Sequence, residues 1–173
     1  MNAAVKIKPV DNEPTVVDYP DSEPIAVWKR VFHAPRELVW QAWTDPKHVE
    51  KWWGPRRYST KVLELDLRKD GAWRFEQHGE DGSVITFYGR YLEVDAPAKL
   101  VNTFGVVDMF PDTGTETNLF EDLGNGTTAY TGISNFGDFA IRDAQRGTGM
   151  EEGGIESFDR FAEYLATLTA KKA

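Results

Sequence analysis

The longest helical periodicity in the chain lies near its C-terminal end, from Gly147 to Leu168. Met150, Phe158, Phe161, Leu165 and Leu168 step in threes and fours, which places them on one helical face. At 1.5 Å per residue such a helix spans on the order of 30 Å, enough to cross a small domain. Its second half is bulky and apolar, whereas its first half carries Gly147, Gly149, Gly153 and Gly154. Each glycine costs about 1 kcal/mol of helix propensity relative to alanine. Either they admit a close approach of another backbone, or they leave room for something that is not protein.

Upstream, the period is mostly two. Ile25 to Phe32 has the β-branched and aromatic content of a strand. Two short helices follow. Pro35 suits a first helical turn, and Leu38, Val39, Ala42 and Trp43 fall on one side of the first helix. Asp45 and Pro46 end that helix and start the second, which Gly54 and Pro55 stop just after Trp52 and Trp53. Alternation then predicts strands over 61–68, 73–78 and 84–93, separated by turns at Asp70-Gly71 and over 80–82. Pro97 interrupts the pattern. Further strands are predicted over 100–107, 115–121 and 127–134, the last two joined at Asn125-Gly126. In the strand over 84–93, Ile85, Phe87 and Tyr91 lie on one side and Tyr88 and Leu92 on the other, so a slip of one residue would exchange the faces.

The expectation is an α+β fold, a curved antiparallel sheet of seven strands gripping the long C-terminal helix, with two short helices after the first strand. An amphipathic helix is needed because a one-sided sheet must cover its apolar face. Residues 25–173 form this domain. Residues 1–24, with Pro9, Pro14, Pro20 and Pro24 among acidic residues, read as a flexible acidic arm whose pieces over 5–7 and 16–19 are able to dock on an edge. The connection over 135–146, with Phe136, Phe139 and Ile141, reads as a lid or as a plug at the sheet edge.

Charge and composition narrow the function. Asp plus Glu number 28 against 20 Lys plus Arg, so nucleic acid and anionic membranes are repelled overall. The chain has no cysteine, which removes disulfides and thiolate chemistry. With no signal-peptide core and no membrane-length apolar run, a cytoplasmic protein is expected. His33, His48 and His78 have no partner at metal-site spacing, so no metal is expected. No cofactor is read either: Gly147 and Gly149 precede a helix start able to face a phosphate, but Glu151 and Glu152 already occupy its first turn. No nucleophile elbow is present.

Aromatic residues remain as the main signal. All six tryptophans lie early, at 28, 40, 43, 52, 53 and 73, and Phe75, Phe87, Tyr91, Phe104 and Tyr130 join them on strands. Such a set packs a core or encloses an apolar cavity. The candidate ligand-binding residues are Trp43, Trp53, Leu65, Trp73, Phe75, Phe87, Tyr91, Phe104, Tyr130, Met150, Gly154 and Phe158. If the protein is an enzyme, Tyr88, Arg90 and Glu76 are the candidate acid, base or charge-stabilising groups. Arg74 and Glu76 otherwise face solvent opposite Trp73 and Phe75.

Four stretches carry a resemblance: HAPRELVWQAWTDPKHVEKWWGP (33–55), LDLRKDGAWRF (65–75), GRYLEV with LVNTF (89–94 and 100–104), and GMEEGGIESFDRFAEYL (149–165). In order and spacing they resemble the activator of heat-shock-protein-90 ATPase homologue-like family, within the START-like helix-grip superfamily. The resemblance covers about 28–168. It implies a cavity between sheet and long helix, binding of small hydrophobic molecules in many relatives and catalysis in some. Many relatives carry Trp where this chain has Gly154, which would remove bulk at the cavity wall. The eukaryotic co-chaperone of this family has a separate N-terminal domain, for which residues 1–24 are too short. The leading expectation is a binder of a small hydrophobic molecule. A cyclase- or hydrolase-like enzyme is the alternative, and a regulator of a chaperone partner the third.

Overall fold

The structure is a computed structural model and describes residues 14–171. Its elements in chain order are β1 (Val16–Asp18), β2 (Ile25–Phe32), α1 (Arg36–Thr44), α2 (Pro46–Trp52), β3 (Tyr58–Leu65), β4 (Ala72–Gly79), β5 (Val84–Asp95), β6 (Lys99–Val106), β7 (Phe110–Gly124), β8 (Thr127–Asn135), α3 (Phe139–Arg146) and α4 (Met150–Ala170). The strands form one antiparallel sheet in the order β1-β2-β8-β7-β6-β5-β4-β3. Register shifts interrupt the β3–β4, β5–β6, β6–β7 and β7–β8 ladders, and such bulges bend and twist the strands they interrupt. The curved sheet packs its apolar face on α1, α2 and α4. This is the expected helix-grip α+β architecture.

The core follows from the two periodicities. Even-numbered residues of β2 and odd-numbered residues of β4 face inward, so Phe32, Trp73 and Phe75 are buried. Phe161 of α4 is fully buried, its ring centroid 4.2 Å from that of Trp52 and 4.9 Å from that of Phe32. The corner after α2 is tied to α4. Gly54 has φ +92, and a Cβ there would lie 1.9 Å from Gln77 Nε2, so only glycine fits. Its N–H donates to Ser157 Oγ at 2.9 Å, and its carbonyl accepts from Arg160 at 2.7 Å. Asp45 caps α2 by accepting from the Lys47 amide at 3.0 Å.

Two expectations need correction. The sheet has eight strands among the described residues, because β1 pairs antiparallel with β2. That pairing is the docking on an edge expected of the piece over 16–19, whereas residues 1–13, with the piece over 5–7, lie outside the described residues. A three-residue strand has too little alternation to be seen in sequence, and its anchors are distant. Arg30 donates to Thr15 Oγ1, the Tyr19 hydroxyl donates to Glu151 at 2.6 Å, and the Arg146 guanidinium lies 4.0 Å from the Tyr19 ring centroid. The segment 135–146 is not a structureless lid. Asp138 accepts from the amides of Ala140 and Ile141 to start α3, and Arg142 donates to the Pro20 and Glu23 carbonyls. Phe139 and Ile141 are exposed. Among the described residues, no helix is long and apolar enough to cross a membrane.

Candidate functional site

Beneath the middle of the sheet lies a cavity of about 60 Å³. Alternation along β4, β5 and β6 presents Trp73, Phe75, Tyr91, Leu100, Asn102 and Phe104 to it. Trp43 from α1 and Trp53 just after α2 complete the aromatic wall, and β7 adds Glu116 and Asn118. The volume exceeds the roughly 10–15 Å³ needed for one water but falls well below the roughly 300–1,000 Å³ of a drug-sized pocket. The cavity therefore admits a small functional group rather than a large apolar body.

Its polar part is a directed hydrogen-bond chain. Asn102 stands opposite Glu116 in the ladder, and Asn118 stands opposite Leu100. The Tyr130 hydroxyl donates to Asn118 Oδ1 at 2.9 Å, Asn118 Nδ2 donates to Asn102 Oδ1 at 3.3 Å, and Asn102 Nδ2 donates to Glu116 Oε2 at 3.3 Å. The amides also satisfy backbone carbonyls: Asn118 donates to Leu100 and Asn102 to Thr103. Every step points toward the carboxyl. Glu116 has no ion-pair partner among the described residues. Burial pushes its carboxyl up to about 7, against the opposing pull of the Asn102 hydrogen bond. Burial likewise raises the Tyr91 and Tyr130 hydroxyls, the latter with a contribution from Glu116, so both stay neutral at ordinary pH. The arrangement can accept a hydrogen bond or a proton at Glu116 within an aromatic enclosure.

The twelve candidate ligand-binding residues divide in space. Trp43, Trp53, Trp73, Phe75, Tyr91 and Phe104 line the cavity. Phe87 stands behind it, its ring 4.8 Å from Trp53 and 5.8 Å from Phe104. Tyr130 contacts Trp43 by its ring at 5.0 Å and reaches the polar chain by its hydroxyl. Leu65 packs against the buried core. Phe158 does not line the cavity but packs behind Trp43, in a ring cluster with Trp28, Phe32 and Tyr130. Met150 and Gly154 do not line the cavity. A Cβ on Gly154 would lie 2.9 Å from Trp28 Cη2 and 3.0 Å from Cζ3, so an indole fills the gap that the missing side chain leaves.

The three candidate catalytic residues are on the other face. Glu76 hydrogen-bonds His78 at 2.9 Å, and Arg90 is exposed and donates to the Asp70 carbonyl at 3.1 Å. Tyr88 pairs with Arg74 and packs beside Gly105. All three alternate with the buried residues of β4 and β5, which explains why they point away from the cavity. Sequence reasoning missed Leu100 and the polar residues Asn102, Glu116 and Asn118. A signal existed, since Glu116 and Asn118 have the same parity as buried Phe120, and Asn102 the same parity as Leu100 and Phe104.

The family described as Activator of Hsp90 ATPase homolog 1-like protein matches residues 33–166. Among solved structures, a protein of Mycobacterium smegmatis is 26% identical, with a TM-score of 0.79 over 91% of this chain and 99% of that one. A protein of Arthrobacter aurescens is 24% identical, with a TM-score of 0.81 over 88% and 91%. The AHSA1 protein of Silicibacter pomeroyi is 20% identical, with a TM-score of 0.68 over 83% and 98%. The last two likenesses bear on the fold alone. No curated protein matches the chain in sequence.

Proposed function

Because the chain belongs to the Activator of Hsp90 ATPase homolog 1-like protein family, we propose that it is a binding module for a small organic molecule held between sheet and helices. The observation that carries this reading is the cavity wall. Trp43, Trp53, Trp73, Phe75 and Phe104 line the same space as one hydrogen-bonded carboxyl, Glu116. Aromatic walls with a few convergent polar groups are the common make-up of small-molecule sites. The volume narrows the hydrophobic ligand first expected: it is small, or inserts one end, and that end carries a polar group. Titration with small fragments, followed by the indole N–H resonances of Trp43, Trp53 and Trp73, tests this. Fragments that shift these resonances and not that of Trp28 support it. A chemically varied set that shifts none of them, and leaves Trp fluorescence unchanged, overturns it.

An enzymatic reading is favoured by one observation, the position of Glu116 beside the cavity with its carboxyl near neutrality. In that reading Glu116, rather than Tyr88, Arg90 or Glu76, exchanges the proton. Turnover of a bound fragment that is lost in Glu116→Gln supports it; a ligand recovered unchanged after prolonged incubation removes it. The family description supports a third reading, stimulation of a chaperone ATPase, which an unchanged ATPase rate in a purified mixture eliminates.

A further inference from the structure

Building on the ligand-binding reading, we infer that the group received by the cavity is a compact organic ammonium, seated against Glu116 and bordered by the tryptophan and phenylalanine rings. Most of the polar atoms in the cavity wall are already engaged. Both amide groups of the polar chain already have acceptors: Asn118 donates to Leu100 and Asn102, and Asn102 donates to Thr103 and Glu116. Trp73 Nε1 is engaged by the Thr103 carbonyl at 3.2 Å. The donors left in the lining are the Tyr91 hydroxyl and the indole N–H groups of Trp43 and Trp53, and a carboxylate drawn to them would face a like charge at Glu116. Glu116 instead accepts one bond, at Oε2, and among the described residues no protein donor reaches Oε1. The group complementary to Oε1 is a hydrogen-bond donor.

The walls choose between a neutral donor and a cation. Aromatic faces carry negative quadrupole potential and attract ammonium groups, by about 0.5–1 kcal/mol when exposed and about 2 when desolvated. An alcohol gains little from them. Glu116 is the sole charged residue of the cavity lining, so a bound cation supplies the counter-charge that the fold leaves out. The size agrees, since about 60 Å³ accommodates an ammonium and very few carbons.

The surroundings of Glu116 also predict how pH acts. Tyr91 of β5 and Tyr130 of β8 face this region and stay neutral. The lining from β4, β6, α1 and the end of α2 contributes Trp73, Phe75, Leu100, Asn102, Phe104, Trp43 and Trp53, and β7 adds Asn118, none of which titrates. Glu116 alone therefore sets the response below the ammonium's own ionisation. Its carboxyl lies near 7, so ammonium affinity rises between pH 6 and 8.

The test uses three probes of one chain length, propylammonium, propanol and propionate, titrated into the full chain at pH 8. The readout is the indole N–H resonances of Trp43, Trp53 and Trp73, which a diffuse attraction of cations to the acidic surface does not move. Expected are at least ten-fold tighter binding of propylammonium than of the other two, a similar loss in Glu116→Gln, and a several-fold loss at pH 6. Equal or tighter binding of propanol or propionate overturns the ammonium assignment while leaving the binding module intact. Propylammonium binding that is indifferent to Glu116→Gln and to pH also overturns it. If none of the three shifts an indole, the compact-ammonium assignment falls, while the wider fragment set decides separately whether the cavity binds anything.

Discussion

Trp28 and Gly154 form one packing unit, with the far edge of the indole 2.9 Å from where a Cβ at 154 would stand. The Trp28 ring in turn meets Phe158 edge-on at 6.0 Å. The glycine in the long helix is thus explained by an aromatic ring from β2, not by space for a ligand.

Gly154→Trp is accordingly expected to destabilise the fold by about 1–3 kcal/mol through overpacking. The same change made together with Trp28→Ala is expected to cost less than the sum of the two single changes. Urea unfolding of the four proteins of this cycle measures the coupling. Strict additivity would remove the pairing of the two positions.

Glu116 sets a pH dependence of stability with a definite sign. Its folded carboxyl titrates near 7, above the value of about 4.3 for an unfolded glutamate. Between those values the native state binds the extra proton, so stability is highest below about pH 4.3 as far as this group is concerned, and falls as pH rises toward 7. The loss is on the order of 3 kcal/mol. Glu116→Gln should flatten the fall and be more stable than the wild type at pH 8. Urea unfolding of both proteins at pH 5 and pH 8 checks it; parallel changes in the two would assign the dependence elsewhere.

Tyr130→Phe removes the donor that satisfies Asn118 Oδ1 in a buried position. A loss of about 1–3 kcal/mol is expected, because a buried acceptor left unpaired bears its desolvation penalty. Thermal unfolding measures it. A change within about 0.5 kcal/mol would mean that the hydroxyl contributes little to holding the chain of amides.

Two ion pairs on α4 should behave differently. Arg56–Glu163 is formed by side chains 51% and 62% exposed, so Glu163→Gln is expected to cost below about 1 kcal/mol. Arg30 is 5% exposed where it meets Asp159 at 2.6 Å. Asp159 itself is 47% exposed, so Asp159→Asn, which leaves the guanidinium buried without its counter-charge, is expected to cost about 1–3 kcal/mol, less than a fully buried pair. Comparable losses in the two variants would contradict the ranking by burial.

Much of the fold was legible because two periods suffice for it. Alternation marked Trp73 and Phe75 against Arg74 and Glu76, and stepping by threes and fours marked Phe158, Phe161 and Leu165. Aromatic content also found six residues of the cavity wall. The glycine-rich half of α4 was harder, since a missing side chain in sequence looks the same whether protein or ligand fills the space. Glu116 and Asn118 were passed over because polar residues within a strand usually face solvent, and parity alone does not say which side is solvent.

Local patterns, which depend on neighbours a few residues apart, were enough to place β2 to β8, the two short helices α1 and α2 and the long amphipathic helix. The same patterns carried the family resemblance. Only the tertiary structure decided the rest, because contacts such as Trp28 with Gly154, Tyr130 with Asn118, and Asn102 with Glu116 join residues that are distant in the chain. Sheet register determines which strand faces the interior and which side chains stand opposite one another. That register turned Tyr88, Arg90 and Glu76 outward and brought a single carboxyl under the aromatic wall.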